Sequence, residues 1–282
     1  MMNKAMLDFL GCPICGGAPL HLLGGAEEDG ALVEGTLKCV ADHRFSIHSG
    51  VPVLIDEALI SGEDWTLWQQ HLEGFQKRRV RRQQEAVQIT HKLGRASIQQ
   101  QAFSAFTGVQ TGRLLDVGCG PGKFRYCFDS GKVTYIGLDP IILPESAEFP
   151  LVAGIAEHLP FQNASFNDVT VLAALDHFKD KEGFFREVHR VLVPGGRFHL
   201  LQSIHEAKGV KGRLKYLAHE IKDWTEARLG AANPAGVPEH MTEFELNDLK
   251  SLLSQFFTIE KERLYEPRLL ALTRLFISLK AK

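Results

Sequence analysis

The sequence predicts an α/β fold, a mainly parallel sheet with helices between its strands, preceded by a small strand-rich segment and a helical connector. Three observations carry this. From Arg113 onward, short apolar runs alternate with helical stretches, the pattern of strands buried on both faces. A glycine-rich loop, "GCGPG", follows the first of those runs. Near the start, "CPIC" at 12–15 and "CVADH" at 39–43 set four soft ligands on two short turns.

At 282 residues, 44% hydrophobic and 23% charged, the chain is globular material enough for about two domains. A formal net charge of -2 argues against a protein devoted to polyanions. No run approaches the roughly 18 apolar residues that a spanning helix requires. The opening "MMNKAMLDFLGC" has too short an apolar stretch for a signal peptide, so the expected location is the cytoplasm. In that compartment five cysteines, three of them clustered near the start, point to metal rather than to disulfides.

The chain divides at about residues 57 and 108. Residues 1–57 hold short apolar runs between glycines, which read as strands and turns. Residues 58–108 are rich in helix formers, and their central stretch lacks proline, as a helical connector requires. Residues 109–282 carry the runs "RLLDVG", "VTYIGLD", "PLVAG", "DVTVLAAL" and "RFHLLQSI", then "FTIEKERLY" and "RLFISLK". Residues 206–240 form an insertion after the fifth run. Thr242 and Glu245 are spaced as a capping box for the helix that follows. Three prolines between Asp139 and Gly154 predict that the helix after the second strand is truncated or missing.

The glycine loop sorts the chemistry. A phosphate-binding P-loop needs four residues between its glycines and then Lys-Ser/Thr, whereas here Lys123 is followed by Phe124. A dinucleotide loop runs G-x-G-x-x-G, but Gly118, Gly120 and Gly122 stand at alternate positions. Asp116 stands two residues before the first glycine and would repel a pyrophosphate while favouring an ammonium or sulfonium. Asp139 ends the next strand, where a carboxylate can accept from both hydroxyls of a ribose. Lys123 reads as a solvated residue and Cys119 as a small loop residue chosen for fit.

The ordered set "LLDVGCGPG", "VTYIGLD", "GIAEHLPF", "NASFNDVTVLAALDHF" and "FFREVHRVLVPGGRFHL" resembles the class I S-adenosylmethionine-dependent methyltransferases, in particular their ubiquinone-biosynthesis-like branch. The resemblance implies a Rossmann-like seven-stranded sheet whose last strand is antiparallel, with S-adenosyl-L-methionine as cofactor. It implies that Gly118, Cys119, Gly120 and Gly122 surround the methionine part and that Asp116 supports their loop. It further implies Asp139 at the ribose, Ala156 at the adenine through its backbone N–H, and Leu172 near the cofactor's amino group. Pro140 and Glu157 adjoin these positions. Two departures stand out: Ile155 where the family often has Asp, and Asn167 in place of the Asp of its "SFD" motif.

Cys12, Cys15, Cys39 and His43 are the expected ligands of a structural zinc ion, with Gly16 and Gly17 shaping the first turn. His21 and His48 are rival ligands. The segment resembles the small zinc ribbons that activate tRNA and translation-factor methyltransferases, and the ribbon of rRNA guanine methyltransferases.

His177, in "LDHF" after the fourth strand, is the candidate general base; it reads equally as a residue packing under the cofactor. Asp176 either orients that ring or caps the next helix. His205 and Glu206 follow the fifth strand and could reach the same mouth. The expected activity is methyl transfer to oxygen or nitrogen of a small molecule or a glycan or natural-product intermediate. One alternative is a methyltransferase of rRNA or tRNA bases that uses the ribbon and "KRRVRR" at 77–82 to contact RNA. Another is a non-catalytic cofactor-binding subunit.

Overall fold

The computed structural model describes residues 2, 4–60, 69, 73–74, 96–142, 149–204, 244–266 and 273–282. Most of the expected connector, the run at 77–82, the insertion at 206–240, His205, Glu206 and Thr242 lie outside the described residues.

The N-terminal segment builds two small antiparallel sheets. Gly11–Cys12 (β1) pairs with Ala18–Pro19 (β2). His21–Glu28 (β3), Ala31–Lys38 (β4), Arg44–His48 (β5) and Val51–Val53 (β6) follow in simple meander order.

The larger sheet contains Gly112–Val117 (β7), Val133–Leu138 (β8), Leu151–Val152 (β9), Phe166–Leu172 (β10), Leu192–Ile204 (β11), Phe257–Tyr265 (β12) and Thr273–Ala281 (β13). Their spatial order is β12-β13-β11-β10-β7-β8-β9. The first five in sequence run parallel, and β13 lies antiparallel between β11 and β12. All seven runs read from the sequence are present. β9 keeps only two residues, because Ala153 turns away to pair with the N-terminal segment.

Alternation along these strands feeds two cores. On one face Leu115, Val117, Ile136, Val169, Val171, Phe198, Leu200 and Ile277 are buried under the helices Lys181–Val191 (α2) and Leu246–Phe256 (α3). Met6, Phe9, Leu10 and Leu20 of the N-terminal segment belong to that same cluster. On the other face Leu114, Phe124, Tyr135, Phe149, Leu201 and Phe276 pack against Phe103 of the helix Ile98–Thr107 (α1). Ser97 and Gln100 close a capping box on α1.

Two sequence expectations about caps are corrected. Helix α3 starts at Leu246 with Glu245 as its N-cap, and no side chain caps it, so the expected box is not formed through Glu245. Helix α2 is capped by Asp180, whose carboxylate accepts from Gly183 N at 2.8 Å, so Asp176 does not fill that role.

The N-terminal segment docks on the outer edge of the sheet through backbone bonds. Ala153 N donates to Pro52 O at 2.9 Å and Leu54 N to Ala153 O at 2.8 Å, a parallel extension of the sheet by β6. Further on, Gly11 N donates to Pro160 O at 3.0 Å and Gln162 N to Phe9 O at 2.9 Å. Arg190 of α2 lies beside the docked segment: its guanidinium donates to Leu159 O, Phe161 O and both oxygens of Glu187. A Cβ on Gly17 would lie 2.3 Å from Arg190 Nη1, so the first cysteine turn needs glycine there.

Candidate cofactor site and metal-ligand cluster

The glycine loop crosses the carboxyl end of β7, where open α/β sheets bind ligands. Gly118, Gly120 and Gly122 all have left-handed backbone, at φ 71°, 56° and 63°. Packing demands two of them. A Cβ on Gly118 would lie 2.5 Å from Ala174 Cβ, and one on Gly122 2.4 Å from the Phe149 ring. The loop's N–H groups turn inward: Gly118 and Cys119 donate to Leu138 O, and Gly120 N donates to Asp139 Oδ2 at 2.8 Å. A diphosphate would find these three donors already taken, which agrees with the exclusion drawn from spacing. The following helix is a single 3-10 stretch, Lys123–Cys127, so no long α-helix aims its N-terminus at the loop. Cys119 tucks its sulfur under β8: a Cβ on Gly137 would meet it at 2.6 Å, which fits the packing role.

Asp139 is buried and its other oxygen accepts from Ile141 N at 3.0 Å. A carboxylate can accept up to about four hydrogen bonds, and Gly120 N and Ile141 N supply two of them. Pro140 adjoins it, partly buried. Asp116 is also buried, and it bonds neighbouring strands rather than the loop: it accepts from Tyr135 Oη at 2.5 Å and from Thr170 Oγ1 at 3.1 Å. Burial pushes its carboxyl up to about 7, against the pull of those hydroxyls.

On the far side of β8, Ile155 and His158 bridge across a tight turn that holds Ala156, itself buried. Glu157 accepts from Lys179 N at 2.7 Å, and burial raises its carboxyl above the ordinary range. Leu172 ends β10 and packs against the second core. Next to it Ala173 holds φ 54°, a strained conformation for a residue with a side chain, and bonds Leu201 O at 2.7 Å. The 3-10 turn Leu175–His177 follows. His177 Nε2 lies 3.8 Å from Asp176 Oδ2, while Asp176 Oδ1 accepts from Gln202 Nε2 at 3.1 Å. The two side chains adjoin at a separation longer than a hydrogen bond.

The four expected metal ligands come together, with their ligating atoms all within 4.8 Å of one another. His43 Nδ1 is 3.6, 3.2 and 3.4 Å from the sulfurs of Cys12, Cys15 and Cys39, and the last two sulfurs are 3.9 Å apart. A tetrahedron with Zn–S of about 2.3 Å and Zn–N of about 2.0 Å has edges of about 3.8 Å (S···S) and about 3.5 Å (S···N). The donor set fits that size. Burial pushes the Cys12 thiol up to about 12. For Cys39, N–H groups of His43 and Ala41 outweigh burial and bring the thiol down to about 7. The rival His48 is exposed and bonded to Glu34 at 3.1 Å instead.

Gln202, Tyr135, Arg190 and Arg274 escaped the sequence reading. Arg274 had one usable signal, a lone charge in the otherwise apolar run "ALTRLFISL". The others owe their importance to partners 19 to 29 residues away or more.

Residues 115–200 match the methyltransferase domain family. The chain is 27% identical over 153 residues to the uncharacterized methyltransferase YcgJ of Bacillus subtilis, covering 50% of this chain and 55% of that one. It is 30% identical over 112 residues to the ubiquinone/menaquinone biosynthesis C-methyltransferase UbiE of Cellvibrio japonicus, covering 34% of this chain and 45% of that one. The chain thus spans about half the length of the curated relatives it matches. Among solved structures, the Burkholderia thailandensis 1,6-didemethyltoxoflavin-N1-methyltransferase superposes with TM-score 0.55 at 18% identity, covering 81% of this chain and 93% of that one. Sheet order, glycine loop and family match agree: the chain carries a class I S-adenosylmethionine-dependent methyltransferase domain.

Proposed function

We propose that the protein transfers a methyl group from S-adenosyl-L-methionine to an oxygen or nitrogen of a small molecule or a glycan or natural-product intermediate. The observation that carries this is the loop hung on Leu138 O and Asp139, glycine-lined yet with inward-turned donors, which suits a sulfonium nucleoside better than a phosphate. The Burkholderia relative, solved with 1,6-didemethyltoxoflavin and S-adenosylhomocysteine, supports a small acceptor. In this reading Asp139 holds the ribose, Ala156 and Glu157 adjoin the adenine, and Gly118 to Gly122 enclose the methionine part. Asp116 fixes the strand ends beneath them, with Leu172 and Pro140 at the flanks. The sulfonium is already a good leaving group, so the enzyme's main task is alignment, worth about 7–11 kcal/mol. His177, steadied by Asp176, takes the proton where the acceptor must lose one.

The proposed organisation is a ribbon over residues 1–57, a connector over 58–108 and the catalytic domain over 109–282. Cys12, Cys15, Cys39 and His43 would hold one structural zinc ion, which would tie the two turns together.

Calorimetry with S-adenosylhomocysteine tests the cofactor site. Asp139→Ala removes a charged acceptor whose hydrogen bonds are worth about 1.5–3 kcal/mol each, so affinity should fall at least about tenfold. Unchanged affinity would place the ribose elsewhere. Elemental analysis of protein purified without chelators should find one zinc per chain, and none in the Cys12→Ser, Cys15→Ser double variant. Metal-free wild-type protein would refute the zinc assignment.

A further inference from the structure

Arg274 opens β13 at the carboxyl end of the sheet, in register with Ser203 at the end of β11 and Tyr265 at the end of β12. Its guanidinium is partly buried, and its Nε is shielded from solvent with no hydrogen-bond partner. Neither a hydrogen bond nor an ion pair to the Arg274 side chain occurs among the described residues. Asp176 is close enough to act on it electrostatically without forming an ion pair.

That arrangement is costly. A guanidinium cannot shed its charge at physiological pH, and its donors form a planar fork shaped for a carboxylate or phosphate. Burying such a group without hydrogen bonds to an anion costs hydration that the more distant Asp176 offsets only in part. Arg190 and Arg197, also half-buried, each have a carboxylate: Arg190 has Glu187 and two carbonyls, and Arg197 has Asp168, whereas Arg113 lies over the Phe9 ring. Its register puts Arg274 at the carboxyl end of the sheet, the end at which α/β folds bind ligands, within electrostatic reach of Asp176.

We propose that Arg274 holds an anionic oxygen group of the methyl acceptor, so that the substrate is an acid. This deepens the reading of the chain as a methyltransferase with a small acceptor and rests on it. The cofactor loop lies three strands away in the sheet, past β11 and β10 at β7, so the guanidinium serves the acceptor side.

The probes are sodium phosphate and sodium benzoate, titrated against thermal unfolding at constant ionic strength, with and without saturating S-adenosylhomocysteine. Wild-type protein should be stabilised by at least one of them, and the preferred probe separates a phosphate acceptor from a carboxylate one. Arg274→Gln should weaken that response at least tenfold while leaving S-adenosylhomocysteine affinity unchanged. Without anion, the same variant should unfold no earlier than wild type, because it removes a half-buried charge that no hydrogen bond or ion pair satisfies among the described residues; a structural arginine would give the opposite. Arg274→Lys, which keeps the charge but not the fork, should retain an intermediate response. Absence of any wild-type response, an equal response in Arg274→Gln, or a loss of S-adenosylhomocysteine affinity in that variant would each overturn the proposal. If wild-type protein fails to bind S-adenosylhomocysteine, the methyltransferase reading falls, and the anion titration alone still decides the role of Arg274.

Discussion

Asp116 illustrates what local sequence conveys about a residue and what it leaves out. Its place before the glycines marks it as part of the cofactor loop, but its partners are hydroxyls on adjacent strands, Tyr135 and Thr170. Those partners come from sheet register, which no short motif encodes. Burial lifts its carboxyl from 3.8 to about 7. Across that window the folded protein binds a proton that the unfolded chain has shed. Stability from this group therefore falls as pH rises from about 4 towards about 7 and is level above that. Asp116→Asn should flatten this part of the profile. Urea midpoints at about pH 5 and about pH 8 should differ less in the variant than in wild type. An equal difference would mean that Asp116 is ionised throughout. The place of Asp139 just after a strand and the grouping of Cys12, Cys15, Cys39 and His43 were legible because short runs and spacings mark them. Arg274 was not, because an arginine's isolation is visible only when its surroundings are.

Helix α2 is the element in which short- and long-range causes meet. Asp180 starts it, which the sequence reading missed, and its apolar stripe Phe184, Phe185, Val188 and Val191, readable from sequence, is buried. Arg190 in its last turn is different. It is salt-bridged to Glu187, with both side chains less than a fifth exposed at 17% and 19%. It also satisfies the carbonyls of Leu159 and Phe161 beside the N-terminal segment. Arg190→Met strands those acceptors and a mostly buried carboxylate, at a cost of about 2–4 kcal/mol. Urea unfolding monitored by far-ultraviolet circular dichroism should register that loss. A change under about 0.5 kcal/mol, the usual size for a surface site, would make the clamp ornamental. The strands were readable to within a few residues. Their ends and the caps were not, because they depend on neighbours such as Pro52 that end a strand by pairing with it.

At the scale of the whole molecule, the composition shift near residue 57 separates two textures that the folded chain joins again. Leu10 and Phe9 share one buried cluster with Phe161 and Phe166, and β6 extends the sheet beyond β9. Removing residues 1–57 would bare both an apolar face and an unpaired strand edge, a template for association with other chains. The truncated protein should elute as large aggregates in size-exclusion chromatography, whereas full-length protein should not. A soluble, cofactor-binding truncation would show that the edge is harmless.

The docking contacts also set an order of events during synthesis. Gln162 Nε2 reaches Leu10 O across 152 residues of chain. The N-terminal segment thus leaves the ribosome well before the strand edge that will cover its apolar face exists, since chains emerge at about 5–20 residues per second. For that interval the two cysteine turns have only each other. A cation captured early by Cys12, Cys15, Cys39 and His43 would keep them assembled until β9 arrives, and the metal would then act as a timekeeper for folding as well as a brace.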